Sequence, residues 1–208
     1  MTPQPQSEHC VTIGHGNYPI DLFIDSVRSA GIDTIIDVRS SPYSRFNPQF
    51  NRENLEKALK ERDIHYQFMG DRLGGRYTDP GLLFPDGTVD YRKVQDTEMF
   101  KEGISRLLAI ISSGKTIALM CAEKEPERCH RFVLISPVLQ EKGISVVHIR
   151  PEGKLQANKE LEQELVNSFF DTSQVSISGE PVNFVGLMYE QVNREIAFKR
   201  EDTKFENH

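Results

Sequence analysis

Short apolar runs of strand length recur through the first 150 residues, separated by segments whose apolar residues fall at helical spacing. The runs are Cys10–Ile13, Thr34–Val38, Ile64–Phe68, Thr116–Met120 and Ile144–Ile149. Near-continuous apolar strands of this kind belong in parallel sheets covered on both faces. Ile20, Phe23, Ile24 and Val27 make the first helical stripe, with Pro19 at its opening. Leu55, Ala58 and Leu59 mark a second helix, with Asn51 as its candidate cap. Phe100, Ile104, Leu107, Leu108 and Ile111 form the clearest stripe, and a further helix is expected from about Pro126 to Lys142. Gly31, Gly114 and Gly143 stand where stripes end. This alternation specifies an α/β fold: a largely parallel sheet with helices on both faces.

Residues 1–150 are therefore expected to form the α/β core, and residues 151–208 a C-terminal extension that is helical in part. Leu161, Leu165 and Phe169 suggest one helix there. Residues 171–181 read as a linker or turn, and the mixed periodicity of 184–198 fits no single element. Residues 1–9 look like a polar leader, and the closing KREDTKFENH like a solvated tail. Residues 70–90, rich in Gly, Pro, Asp and Arg, read as one long loop, which in a compact domain usually serves function.

A chain of 208 residues buries a core without staples. Its net charge of -6 excludes a general basic surface for coating nucleic acid, though a local basic patch remains open. Three cysteines, Cys10, Cys121 and Cys129, make no disulfide framework. Together with the absence of a secretory signal, they suggest the reducing cytoplasm. No run approaches the roughly 18 apolar residues of a membrane helix, so no membrane partner is expected. The oligomeric state is not legible.

In open α/β sheets, ligands bind beyond the carboxyl ends of the strands. Four segments reach that edge: Gly14-His15-Gly16, Arg39 through Arg45, the loop after Phe68, and Cys121 through Arg131. The last, CAEKEPERCHR, carries the most chemistry. A helix start after Pro126 would put Cys129 and His130 in its first turn, where positive dipole and arginines lower a thiol pKa. Cys121 and Cys129 are candidate nucleophiles, against the plainer reading of two buried structural thiols. Glu123 is a candidate base or arginine clamp, and His130 a candidate proton shuttle; both residue types also serve as structural hydrogen-bond partners.

Arg39, Arg45 and Arg131 suit an anion such as phosphate, carboxylate or sulfate. The alternative is that Asp37 and an arginine tie down the loop. Gly14, Gly16, Gly74 and Gly75 allow a backbone to approach a ligand, but match no established phosphate-binding loop. Cys121, Cys129, His130 and His15 are also the residue types of a metal site. Their spacing matches no usual CxxC pair, so neither a metal nor another cofactor is expected.

These segments, from TIGHGNYPIDLFIDSVRSAGIDTIIDVRSSPYSRF through LGGRY and CAEKEPERCHR to VVHI, resemble the domain-of-unknown-function 488 family over about residues 11–150. The resemblance implies a compact α/β domain and no defined activity. It also implies that His15, Arg39, Pro42, Arg45, Gly74, Gly75, Cys121, Glu123, Cys129, His130 and Arg131 occupy the family's characteristic positions. A second, weaker likeness is to rhodanese-type sulfurtransferases, through IIDVRS and IALMC. The loop after Cys121 departs from theirs in being glycine-free and carrying three glutamates, and acidic neighbours oppose thiol ionisation.

The expectation is an enzyme, a hydrolase or transferase, binding an anionic, phosphate-bearing substrate, with a small anion, a nucleotide and nucleic acid all open. Cys121, Glu123, Cys129 and His130 would be catalytic. His15, Arg39, Arg45, Gly74, Gly75 and Arg131 would bind substrate. The alternatives are rhodanese-like sulfur transfer through Cys121 and a non-catalytic anion-sensing or partner-binding module.

Overall fold

The computed structural model describes residues 9–171 and 182–200. The polar leader up to residue 8, the stretch 172–181 and the tail from 201 lie outside the described residues. Among the described residues, no helix is long and apolar enough to cross a membrane.

Six strands form one sheet in the order β3-β2-β4-β1-β5-β6: β1 (His9–Gly14), β2 (Thr34–Asp37), β3 (His65–Phe68), β4 (Ile117–Cys121), β5 (Ser145–Ile149) and β6 (Leu155–Ala157). The first five run parallel, and β6 adds an antiparallel edge against β5. The sheet thus extends one strand beyond Ile149, where the apolar runs stop. Leu155–Ala157 is too short and too polar to give a strand pattern, and the ladder to β5 makes it one.

Alternation along the strands builds two cores. Val11, Ile13, Ile35, Ala118 and Met120 face one side, beneath α1 (Ile20–Ser29) and α2 (Arg52–Lys60). Cys10, Ile36, Val38, Leu119 and Cys121 face the other. That side is covered by α5 (Glu98–Ser112), α6 (Ser136–Glu141), α7 (Asn158–Phe169) and α8 (Phe184–Ile196). Residues 184–198 are thus mainly helical, with Met188 and Val192 buried. The 70–90 stretch contains a single turn, α3 (Gly70–Leu73), a 3₁₀ turn (Pro80–Leu82) and an isolated bridge from Leu83 to Val89, ahead of the short helix α4 (Tyr91–Gln95).

The helix expected from Pro126 is broken. Pro126–Arg128 forms a separate 3₁₀ turn, Cys129 is extended, and helix resumes as a widened π turn over Arg131–Ile135 before α6. Pro137 accounts for the widened turn. It has no N–H for an α-helical bond and its ring crowds the turn before it, so the turn opens. The Ser136 hydroxyl donates to the Arg131 carbonyl at 2.8 Å within that turn.

Adjacent strands β1 and β4 send the chain in opposite directions along the sheet and over opposite faces. Gly14 pairs with Cys121 and Asp37 with Met120, so the carboxyl ends of β1, β4 and β2 lie side by side. Such a switch point is where a crevice opens.

A buried polar chain ties the C-terminal helices to the sheet. His148 Nε2 donates to Asn158 Oδ1 at 2.8 Å, and the Thr12 hydroxyl donates to His148 Nδ1 at 2.8 Å. Asn158 in turn donates to Tyr189 Oη at 3.0 Å. Burial pushes the His148 pKa from 6.5 down to about 4, so the ring is neutral in the fold. The stability this contributes is full above pH 6.5 and is lost as pH falls from 6.5 toward about 4. Urea unfolding at pH 7 and pH 5 should differ by on the order of 2 kcal/mol from this group alone, with less stability at pH 5. His148→Gln should lose that part of the pH dependence; an unchanged slope would contradict it.

Candidate functional site

Cys121 ends β4 on the same face as Val38 of the loop after β2, and its side chain opens into a cavity of about 190 Å³. The loop that follows folds back sharply. Arg131, fully buried, donates from one terminal nitrogen to the Glu123 carbonyl at 2.7 Å and from the other to the Lys124 carbonyl at 2.8 Å. Gly14 lets the loop press onto β1, because a Cβ there would overlap the Glu123 carbonyl oxygen.

This fold-back sets Cys121, Cys129 and His130 together. Each sulfur lies 3.7 Å from His130 Nδ1. His130 Nε2 donates to the Val38 carbonyl at 3.0 Å, which turns Nδ1 toward the thiols. Glu123 is exposed at the mouth, but its carboxylate turns inward and accepts from Cys121 Sγ at 3.0 Å.

Electrostatics separates the two thiols. Burial raises the Cys121 pKa, and the neighbouring Cys129 and Glu123 charges raise it further. Burial also works against ionising Cys129, but the hydrogen bond from Cys121 and the charges of Arg131 and His130 outweigh it and hold Cys129 well below the ordinary thiol range. Burial lowers His130, and the Cys129 charge reverses the sign and raises it. Glu123 is raised by desolvation first and by Cys129 second. Cys10 lies in the core, its thiol pushed up to about 12 by burial, and belongs to no site.

The three glutamates of the loop do not all crowd the sulfurs. Glu125 and Glu127 both pair with Arg150 just beyond β5, leaving Glu123 as the carboxylate at the thiols.

The expected anion-binding arginines fare differently. Arg39 lines the cavity, but its guanidinium is committed: Nε and Nη2 donate to Asp37 at 2.9 and 2.6 Å, Nη2 to the Phe50 carbonyl at 2.9 Å, and Nη1 to His15 Nε2 at 3.1 Å. Arg131 is sealed inside by its carbonyl bonds. Arg45 sits on the surface over the Phe46 ring, at 4.7 Å, and is not part of the cavity wall. The reason is common to all three: sequence displays a charge but not the partner that folding gives it.

Two other arginines take their place at the cavity. Among the described residues the Arg128 guanidinium has no hydrogen-bond or ion-pair partner, its backbone N–H alone donating to the Glu125 carbonyl, and the Arg76 guanidinium contacts the Phe198 ring at 5.7 Å. Their signal in the sequence was their place inside LGGR and ERCHR, beside residues already singled out.

His15 lies behind the cavity. It donates from Nδ1 to the Gly16 carbonyl at 2.8 Å and stacks on Phe50 at 4.1 Å. Burial and Arg39 push its pKa down to about 4. Its place is to hold Arg39. Gly75 lines the cavity, where a Cβ would press on His130 and Tyr91; Gly74 packs under Ser40. Pro42 is buried and accepts from Arg52 N–H through its carbonyl. A larger cavity of about 480 Å³, walled by Ile13, Tyr18, Leu22, Phe23 and Lys124 among others, holds no thiol or histidine. The chemistry therefore points to the smaller one.

A family model described as Domain of unknown function DUF488 matches residues 19–137. The match takes in every residue of the thiol cluster and all the arginines above except Arg150, and leaves His15 outside. No curated protein and no solved structure matches.

The buried Asp37–Arg39 pair fixes one wall of the site. Asp37→Asn leaves the Arg39 charge buried without its counter-charge, and should destabilise the fold by about 3–5 kcal/mol in urea unfolding. A loss below about 1 kcal/mol would show that the pair matters little there.

Proposed function

The chain belongs to the family described as Domain of unknown function DUF488, and we propose that it is an enzyme, a hydrolase or transferase, acting on a small phosphate-bearing substrate. The observation that carries the reading is the pairing of two uncommitted guanidiniums, Arg76 and Arg128, with a thiol, imidazole and carboxylate cluster in one cavity. The other two arginines at this site are committed, Arg39 to Asp37 and Arg131 to backbone carbonyls. Arg76 and Arg128 are left to hold an anion, to which guanidinium offers two parallel donors.

A cavity of about 190 Å³ takes a phosphate group with a small appendage rather than an extended polymer. A nucleotide would enter through its phosphate and leave its base outside. Glu123, at the mouth and with its pKa raised by burial, is suited to carry a proton between substrate and solvent.

Rhodanese-like transfer through Cys121 has less support. Its sulfhydryl donates to Glu123, and a carboxylate at 3.0 Å opposes the thiolate that sulfur transfer needs. A purely sensing module would use the same arginines but has no need of the thiol cluster.

Thermal shift with phosphate, sulfate and adenosine monophosphate tests the reading. Saturating ligand at about 100 times its Kd should stabilise the fold by about 2.7 kcal/mol. Arg76→Ala and Arg128→Ala should each weaken binding about tenfold or more, as expected for a lost hydrogen bond to a charged group. Arg45→Ala should leave it unchanged. Anion binding insensitive to Arg76 and Arg128, or no anion binding, would contradict the proposal.

A further inference from the structure

The spacing of Cys121 and Cys129, with seven residues between them, matches no common metal motif. The folded loop alters that judgement. Cys121 Sγ, Cys129 Sγ and His130 Nδ1 all lie within 4.8 Å of one another. We propose that these three atoms bind one zinc ion and leave a fourth position open toward the cavity.

Geometry supports this in two independent ways. Zn–S of about 2.3 Å and Zn–N of about 2.0–2.1 Å in a tetrahedral site separate sulfur from nitrogen by about 3.6 Å. Both sulfurs stand 3.7 Å from Nδ1. The cluster therefore needs little rearrangement to close on a metal.

The second support is the far side of the ring. His130 Nε2 donates to the Val38 carbonyl at 3.0 Å, leaving Nδ1 as the nitrogen that carries a lone pair toward the sulfurs. Backbone carbonyls fix metal-binding imidazoles in this way. Two thiolates and an imidazole select a borderline or soft ion such as zinc over magnesium or calcium.

Three protein ligands and an open position are the pattern of catalytic rather than structural zinc. The open position deepens the reading of the cavity as an active site and rests on that reading for its purpose. Metal binding also changes what Glu123 faces. Both thiols lose their protons, so the carboxylate loses the Cys121 donor and becomes a free acceptor at the mouth. Held by these three residues, zinc would supply Lewis acidity at the open position, and Glu123 at the mouth would be placed to accept a proton there.

The test uses the full-length protein, stripped with a chelator and titrated with cobalt(II), then zinc(II). One equivalent of cobalt should bring up a thiolate-to-cobalt charge-transfer band with the visible bands of a tetrahedral ion, and zinc should abolish both. Cys121→Ser and Cys129→Ser should each weaken binding about tenfold or more, with circular dichroism confirming the fold, and Glu123→Gln should keep the band. The proposal fails if the wild-type protein gives no charge-transfer band at one equivalent, or if the band survives in the double Cys→Ser variant. Anion binding is read on the stripped protein, so the two readings fail separately. A band without anion binding removes the substrate proposal alone, and anion binding without a band removes the metal.

Discussion

Arg131 carries a full charge into the protein interior and meets it with the carbonyl oxygens of Glu123 and Lys124. A buried guanidinium is costly unless acceptors and dipoles compensate it. Here the compensation is made by bending the loop after β4 back over the end of β1, where Gly14 leaves room. The rest of the site follows from that bend. Glu123 is turned toward Cys121, and Cys129 is carried to the same imidazole that Cys121 faces. The Arg131 charge also adds to the forces that favour a thiolate at Cys129.

The arginines divide into two groups by what folding does with them. Arg39, Arg131 and Arg150 hold the walls: one against Asp37, one against carbonyls, one against Glu125 and Glu127. Arg76 and Arg128 keep their charge for the cavity. The fold thereby draws two of the loop's three carboxylates away from the sulfurs. An acidic chain can then present a local positive rim above an electron-rich floor.

Much of this was legible in the sequence because it rests on periodicity. The strand runs, the stripes of α1, α2 and α5, and the glycines that end them appear where the pattern puts them. Gly31, Gly114 and Gly143 all take positive φ, as a helix-ending glycine does. The segments that reach the sheet edge were also readable, since strand ends mark it. What the pattern does not carry is the partner of a charge or the state of a helix near proline. Asp37 two residues before Arg39 left two readings open, and the pair closes on itself. Pro137 widened a turn that apolar spacing alone would continue as α-helix, and the extended Cys129 sits ahead of the helix rather than within it. β6 and α8 were hidden because neighbouring elements, not their own alternation, make them regular.

The central claim is the proximity of two thiols that the chain separates by a charged loop. Oxidation of metal-free protein with diamide, followed by digestion and mass spectrometry, measures it directly. The two sulfhydryls give up their hydrogens to the oxidant and join as one bond, which requires sulfurs able to approach to about 2.05 Å. The account predicts an internal Cys121–Cys129 disulfide in each chain, with Cys10 remaining a free thiol in the core. Recovery of Cys121 and Cys129 unlinked, or joined to Cys10 or to other chains, would contradict it.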